Sequence, residues 1–568
     1  MADKKFMKNQ KHTIAALFFV FSCLFSFEKA FSSDEEKASF MQEGIYRLLV
    51  EEYSGDKKCT GLSLVKTCGN RVCDDNKGET VENCPFDCSK YFIASHNKQT
   101  VCEKVRQVAS PRTVEEVSNL VRQAYEQKIP VKAVGSRHSA TSLLCGEGMV
   151  LEMMAMNKIY GLDENKETVL VDAGVRLNEL TEYLDLNERS LGFALMGLRV
   201  ITVAGAMATG SHGSSPNHRG ILSYLATELE IVNGEGKILT FKKSETEETL
   251  WKALVANLGM MGIVTKVRLA VEKQFNLDVK VKSYSEKKLF EEESYRENLA
   301  GCDYAIFHWF PQKKKFLKIC GSKTEKEAEV GAENILLSPK FPSFIISPYK
   351  QAMHLASCYK GLSRLLEKVR YYTLKLFPPF AKEVNGKIKS RGHVIGKSHL
   401  MISSKLSPFE QAVFQRDWEF ALPLKDAVEA INWLKKYIKK EKSGLPLFGI
   451  FLRHALIEDE SLMTHAGAGG KFKKGDTAVY VEIVTFYPNQ APSFALAEYE
   501  KFYSTIVEKL VKDFNGRPHW AKNEDSIHAM KEVKASYGDR WEKFEKIREI
   551  MDPEGIFQNG LTKVLKLD

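Results

Sequence analysis

Four stretches of the chain bring chemically competent residue types together at short spacing. The first, Val131–Ser139, reads V-K-A-V-G-S-R-H-S. A β-prone run ends there in a tight turn at Gly135, and Ser136, Arg137, His138 and Ser139 follow directly. Backbone N–H groups in such a turn can cradle a pyrophosphate, and Arg137 adds positive charge. The second, Thr202–Ser215, reads T-V-A-G-A-M-A-T-G-S-H-G-S-S. Gly210 and Gly213 let its backbone approach a ring system closely, because glycine has no Cβ; His212 between them reads as a structural hydrogen-bonder. The third is a pair of alternating runs, Gly449-Ile-Phe-Leu-Arg453-His454 and Ala478–Phe486. Period-two alternation puts Phe451 and Arg453 on one face, and Glu482 lies on the second run. Arg453 and Glu482 fit two roles: a structural ion pair, or site residues if the two strands are neighbours. The fourth, Arg517-Pro-His519-Trp520-Ala521-Lys522, sets an imidazole and an ammonium three residues apart.

The elements that must position these groups can be read from pattern. Thr113 with Glu116 three residues on forms a capping box, and Val114, Val117, Leu120, Val121 and Ala124 repeat at helical spacing. The first unit is therefore helix, strand, turn, without the G-x-G-x-x-G order of a dinucleotide fold. Val169–Val171 reads as a strand and 178–187 as a helix. Leu229–Val232 and Lys237–Phe241 read as a hairpin about an Asn233-Gly234 turn, and 246–258 as a helix. Gly259 to Leu269 is a glycine-bounded strand. From about Glu272 the chain gains Lys, Phe and Tyr and loses Gly, which places a domain boundary there. Residues 338–395, rich in Pro, Lys and aromatics, read as an excursion containing a helix packed on the second domain.

With 568 residues two or three domains are expected. The formal net charge of +9 is modest and has no concentrated basic face in the first half, which argues against nucleic acid as a partner. Lys313–Lys315 and Lys435–Lys440 read as solvated faces of a hairpin and a helix. The N-terminus has Lys4, Lys5, Lys8 and Lys11, then an apolar run Ile14–Phe27, then Ala30, Ser32 and Ser33. That is the plan of a secretory signal peptide, and the run is shorter than the roughly 20 residues of a membrane span. Of eleven cysteines, ten remain after Cys23, an even number suited to an oxidising compartment. Asp34–Tyr53 reads as an amphipathic helix. The gaps between Cys68, Cys73, Cys84 and Cys88 do not match paired C-x2-C zinc spacing, so a disulfide knot is the reading. Asp74, Asp75, Asn76, Glu79, Glu82 and Asp87 crowd into it, either as a solvated acidic loop or as Ca²⁺ ligands; no metal site is expected. Cys302 and Cys320 flank the hairpin-like pair Tyr304–Phe310 and Lys315–Ile319 and form a candidate bridge.

Taken together, the turn at His138 and the stretch Thr202–Ser215 resemble the vanillyl-alcohol-oxidase-type (PCMH-type) FAD flavoproteins, and more narrowly the sugar-1,4-lactone oxidases that include gulonolactone oxidase. The resemblance runs from about Val101 to the C-terminus. In that family the His of the first loop carries FAD covalently, which implies that role for His138, with Gly135, Ser136, Arg137 and Ser139 around it. The second loop follows the isoalloxazine and ribityl chain, which implies Ala204, Gly205, Thr209, Gly210, His212, Gly213 and Ser214. Gly262, Ile263 and Val264 match the G-I-[IV]-T strand facing the adenine half. The ending Asp552-Pro-Glu-Gly-Ile-Phe557-Gln-Asn559 matches a terminal segment that returns to the FAD domain, which implies Asn559. His519-Trp-Ala-Lys522 matches the family's H-W-[GA]-K, with His519 as base and Lys522 as charge near flavin or substrate. The family's E-x-R is Phe451-Leu-Arg453 here: Arg453 is kept, the Glu is absent, and Glu482 is the candidate replacement. Plant-type relatives carry Cys at both positions matching Cys102 and Cys145, which implies a bridge.

The fold expected is α+β: a PCMH-type FAD-binding domain of two α/β subdomains at 97–272, an α+β substrate cap at 273–568, a helix and Cys-rich module at 33–96 and a signal peptide at 1–32. The resemblance implies a secreted FAD oxidase of a polyhydroxylated substrate, an aldono-1,4-lactone or polyol, with O2 as acceptor and H2O2 as product. A dehydrogenase with another acceptor and a catalytically altered extracellular binding protein stand as the alternatives. Membrane association is not expected.

Overall fold

The structure is a computed structural model that describes residues 93–565, apart from 97–98, 103–104, 196, 337–355, 357–359, 405–414, 442–444, 447 and 487–492. The expected signal peptide, the helix at Asp34–Tyr53 and the Cys-rich module lie outside the described residues, as does part of the 338–395 stretch. No described helix is long and apolar enough to cross a membrane.

The first half contains a three-stranded parallel sheet. Its strands β1 (Gln107–Ala109), β2 (Val131–Val134) and β3 (Met149–Glu152) lie in the order β1-β3-β2. Helix α1 (Val114–Gln127) buries Val114, Val117, Val121 and Ala124. Thr113 caps it by accepting from the Glu116 N–H, but the Glu116 carboxylate reaches the Arg112 N–H rather than that of Thr113, so the expected box is offset by one residue.

A five-stranded antiparallel sheet follows. It contains β4 (Ile159–Leu162), β5 (Thr168–Asp172), β6 (Ala226–Val232), β7 (Ile238–Lys242) and β8 (Ile263–Ala270), in the order β7-β6-β8-β5-β4. Strand β8 alternates strictly, with Ile263, Thr265, Val267 and Leu269 buried. Helices α2 (Leu177–Leu186), α3 (Val203–Ala208) and α4 (Glu248–Leu254) lie between these strands in sequence. The expected helix 246–258 is shorter because Glu247 accepts from the Thr249 and Leu250 N–H groups and starts it late, and the chain turns left-handed at Leu258 and Gly259. The β6–β7 connection is not a two-residue Asn-Gly turn. The Asn233 side chain accepts from the N–H groups of Glu235 and Lys237, and Gly236, at φ 78°, closes the longer loop.

The second half is built on an eight-stranded antiparallel sheet. Its strands are β9 (Asn276–Ser285), β10 (Tyr304–Phe310), β11 (Lys315–Thr324), β12 (His393–Lys397), β13 (Gln415–Pro423), β14 (Ile450–Leu456), β15 (Thr477–Phe486) and β16 (Arg517–Pro518), in the order β12-β9-β11-β10-β14-β15-β13-β16. All seven residues of β10 are buried, as befits a strand covered on both faces. Within the excursion, helix α5 (Lys360–Leu376) packs on β10 through Tyr371 and Phe310. Disulfides Cys102–Cys145 and Cys302–Cys320 are both formed.

The C-terminal segment returns to the first half. Val131 donates to Ile556 O at 2.7 Å, and Ala140 donates to Ala521 O at 2.8 Å. The Thr141 hydroxyl donates to Trp520 O at 2.9 Å. The turn carrying His138 is thereby fastened directly to the turn carrying Lys522.

Candidate active site

The cavity at the junction of the two halves is lined by Gly135, Ser136, Arg137, His138 and Ser139, by Ala204, Gly205, Thr209, His212, Gly213 and Ser214, and by Gly262, Ile263 and Val264. On the sheet side its wall includes Arg453, Glu482, His519 and Lys522. Two expected residues stand off it. Gly210 has φ 65° and packs near Thr464 and His465. Asn559 is buried, and its amide donates to Leu258 O at 3.2 Å. Both shape loops that reach the cavity.

The reactive wall is a feature of sheet register. Glu482 of β15 pairs directly with Glu419 of β13 on one side and with Phe451 of β14 on the other. Two carboxylates opposed on a dry face repel each other unless cations lie between them. Arg453 supplies one, with Nη2 2.8 Å from Glu482 Oε2 and Nη1 3.8 Å from Glu419 Oε1. Lys522 supplies the other, with Nζ 2.8 Å from Glu419 Oε2 and in contact with Glu482 Oε1. Burial pushes the Glu419 carboxyl up, but Lys522 and His212 outweigh this and hold it well below the usual carboxylate range. Burial likewise lowers Lys522, and the two glutamates reverse the shift, so its ammonium stays charged. Arg453 and Glu482 are thus both an ion pair and part of the cavity wall.

The histidines have distinct roles. The His519 Nδ1 accepts from the Ala521 N–H at 3.1 Å. Burial first, and the Lys522 charge further down, hold its imidazole well below its usual value against the pull of Glu419. Its one proton therefore sits on Nε2, and the lone pair a base would use is occupied: His519 does not fit the role of base. His465 stacks on it at 4.4 Å and accepts from the Trp520 N–H at 3.1 Å. His212 stacks on Tyr480 at 3.5 Å, has Nδ1 2.9 Å from Gly213 O and has Nε2 3.5 Å from Glu419. That is the structural role its sequence suggests. His212, Glu419 and His519 hold three potential ligand atoms within 4.8 Å of one another. The Lys522 ammonium on Glu419 and the Nε2 proton of His519 make this a hydrogen-bonding cluster rather than a cation site.

At the other end, His138 stacks on His96 with ring centroids 4.1 Å apart, and the His96 N–H donates to Arg137 O at 2.9 Å. Burial, and then His96, push the His138 imidazole down to about 3, so it is neutral. Its Nδ1 is buried without a hydrogen-bond partner. Arg137 is not the free charge its position suggests: at φ 60° its side chain turns to an ion pair with Glu152. Instead Lys132, 7% exposed, lines the cavity and makes no ion pair among the described residues. Sequence reasoning missed Glu419, Lys132, His96 and His465. Glu419 had a visible signal, an acid inside the otherwise apolar run W-E-F-A-L-P.

Comparison with known proteins gives a consistent picture. The family model described as FAD binding domain matches residues 105–242, and the one described as D-arabinono-1,4-lactone oxidase matches residues 267–565. The chain is 25% identical to a putative D-arabinono-1,4-lactone oxidase of Neurospora crassa, covering 79% of this chain and 81% of the relative. It is 26% identical to the L-gulonolactone oxidase of Bos taurus, covering 79% and 92%. Among solved structures, the cholesterol oxidase from B. sterolicum superimposes with a TM-score of 0.68 at 17% identity, covering 84% of this chain and 96% of the other.

The residues present fit FAD. A Cβ on Gly135 would meet Thr202 Oγ1 at 2.1 Å, and one on Gly262, at φ 125°, would meet Ile231 Cγ2 at 2.5 Å, so glycine lets both loops pack tightly on the protein while their backbone lines the cavity. The unpartnered Nδ1 of His138 and the unpaired ammonium of Lys132 are a donor-acceptor site and a countercharge of the kind a dinucleotide needs. Burial pushes Lys132 down to about 8 from 10.5. Unfolded chains therefore bind this proton and folded apo-protein does not between those values, so apo-protein stability rises with pH across that window. Thermal melts of FAD-free His138→Ala protein should show this rise. K132M should flatten it, stabilise the apo form below pH 8, and weaken FAD binding by roughly tenfold or more. An unchanged apo profile in K132M would place the phosphate countercharge elsewhere.

Proposed function

This chain belongs to the D-arabinono-1,4-lactone oxidase family, and from that premise we propose that it oxidises a carbinol of a polyhydroxylated substrate of the aldono-1,4-lactone class, L-gulonolactone-like, with O2 as acceptor and H2O2 as product. The observation that carries this reading is the position of Glu482. It pairs across the strands with Phe451, which stands where the related oxidases have the glutamate of their E-x-R triplet. The carboxylate has moved one strand over and still reaches Arg453.

Bound FAD supplies the two-electron acceptor for the carbinol carbon and the route from there to O2. Glu482 hydrogen-bonds the substrate hydroxyl and takes its proton. Arg453 and Lys522 hold Glu482 in place and present positive charge where negative charge accumulates on reduction. The Nε2–H of His519 and the pair His212–Glu419 keep the wall polar and dry. His138, neutral and with a free ring nitrogen, is the covalent anchor of FAD, and the stacked His96 holds its ring in line. Both disulfides, together with the leader-like N-terminus, support an extracellular or secretory-pathway location.

Glu482→Gln should lower kcat/KM by roughly 10²–10³ with flavin content unchanged. Adding Phe451→Glu to that variant should recover part of the loss by returning the carboxylate to the neighbouring strand. Full activity in E482Q would remove Glu482 from proton transfer.

Acid-precipitated protein should keep its yellow colour, with a flavin mass on the peptide containing His138, and His138→Ala should release all flavin to the supernatant. Free flavin from the unmodified protein would leave FAD in place and remove the covalent bond.

A further inference from the structure

We propose that Arg370 forms an oxyanion-binding subsite in this cavity, so that among the polyhydroxylated substrates the site accepts, one carrying a carboxylate or phosphate is preferred over a neutral lactone. The proposal rests on the reading above for the location of the substrate and adds what the substrate must carry.

Arg370 comes from α5 and lines the cavity together with Phe448, Phe451 and Arg453. The helix is held firmly on either side of it. Glu367 accepts from the Gln312 N–H at 2.8 Å, and the Tyr371 hydroxyl lies 2.7 Å from Ser283 Oγ. Leu362 and Ser363, about two turns before Arg370, are buried, as is Leu374 one turn after it. The guanidinium is carried to the cavity by a docked element, not by a loose side chain on a surface.

Among the described residues Arg370 makes no ion pair, and its Nε is buried without a hydrogen-bond partner. The other two cations of the sheet-side wall are matched, since Arg453 and Lys522 lie against Glu482 and Glu419. The groups around Arg370 are aromatic. Its guanidinium lies 5.7 Å from the centre of the Phe448 ring, and Phe451 stacks on His308 at 4.0 Å. His308 donates from Nε2 to Phe448 O at 2.5 Å and is kept neutral by burial and then by Arg370. A glutamate at position 451 would have placed negative charge in this corner, where Phe451 stands. Arg370 is half-buried, and its buried Nε leaves one N–H of the fork for a ligand to complete. A planar oxyanion does so through the paired N–H fork of arginine.

The test uses the full-length FAD-loaded protein. Malonate, a dicarboxylate with no carbinol to oxidise, and inorganic phosphate are titrated while the spectrum of the oxidised flavin is followed. Turnover is compared for one neutral aldono-1,4-lactone, its open-chain aldonate and the corresponding sugar phosphate. Saturable perturbation by malonate but not phosphate identifies a carboxylate subsite, and the reverse identifies a phosphate subsite. R370Q should weaken the effective anion at least tenfold and lower the ratio of acid to lactone turnover by a similar factor, and Arg370→Lys should recover part of both. Unaltered anion binding and an unaltered ratio in R370Q overturn the subsite even if lactones reduce the flavin. Arg370-dependent anion binding in a protein that oxidises none of the three compounds upholds the subsite and overturns the oxidase reading instead.

Discussion

Two glutamates face each other across neighbouring strands in a dry sheet, and the rest of the site follows from how that repulsion is resolved. Arg453 and Lys522 lie between and beside Glu419 and Glu482 and offset the repulsion, and Lys522 with His212 holds Glu419 ionised against its burial. The four residues come from β13, β14, β15 and the turn after β16, so the cluster requires all of these to be in register at once. A slip of one residue would carry Glu482 to the opposite face of the sheet. Removing one member would leave a buried charge uncompensated, at a cost of about 3–5 kcal/mol. Constraint and proposed chemistry coincide, because Glu482, the carboxylate proposed to receive the substrate proton, is one of the two that face both the cavity and these cations.

The same turn that delivers Lys522 also fastens the two halves. Ala521 and Trp520 accept backbone and hydroxyl hydrogen bonds from Ala140 and Thr141, just after the loop bearing His138. The cofactor cradle and the reactive wall are therefore held at a fixed separation by main-chain contacts. Along the cavity the charges are sorted by purpose. Matched pairs form the wall beside the flavin loops; among the described residues, Lys132 near the Gly259–Gly262 turn and Arg370 at the aromatic corner make no ion pair. His96, His138, His308, His465 and His519 are kept neutral chiefly by desolvation, and each is fixed by stacking or by a main-chain contact.

Much of this was legible from local pattern. The helix-strand-turn leading to His138, the alternation that puts Arg453 on the cavity face and the segment ending at Lys522 are short-range signals, and the structure brings them together. Glu482 was legible as a replacement carboxylate only on condition that β14 and β15 are neighbours, which they are. Glu419 was not legible, because its meaning depends on two partners far along the chain. Lys132 looks like the outward residue of an alternating strand, but the parallel sheet is covered on both faces and buries it. Arg137 was misread because a left-handed backbone at the turn swings its side chain to Glu152. His519 was read as a base from its motif. Only the coordinates reveal the Ala521 N–H on its lone pair. The Asn233-Gly234 turn failed for a similar local reason: the Asn side chain caps a longer loop and leaves the positive φ to Gly236.

The account stands or falls on electron transfer from a carbinol to the flavin held in this cavity. Mixing the FAD-loaded protein anaerobically with aldono-1,4-lactones, aldonates and polyols, and following the visible flavin band, tests it most directly. The account predicts that at least one of these compounds bleaches the band and that admitting O2 restores it with release of H2O2. A band that stays oxidised with every carbinol offered, in protein that carries its full complement of FAD, would contradict it.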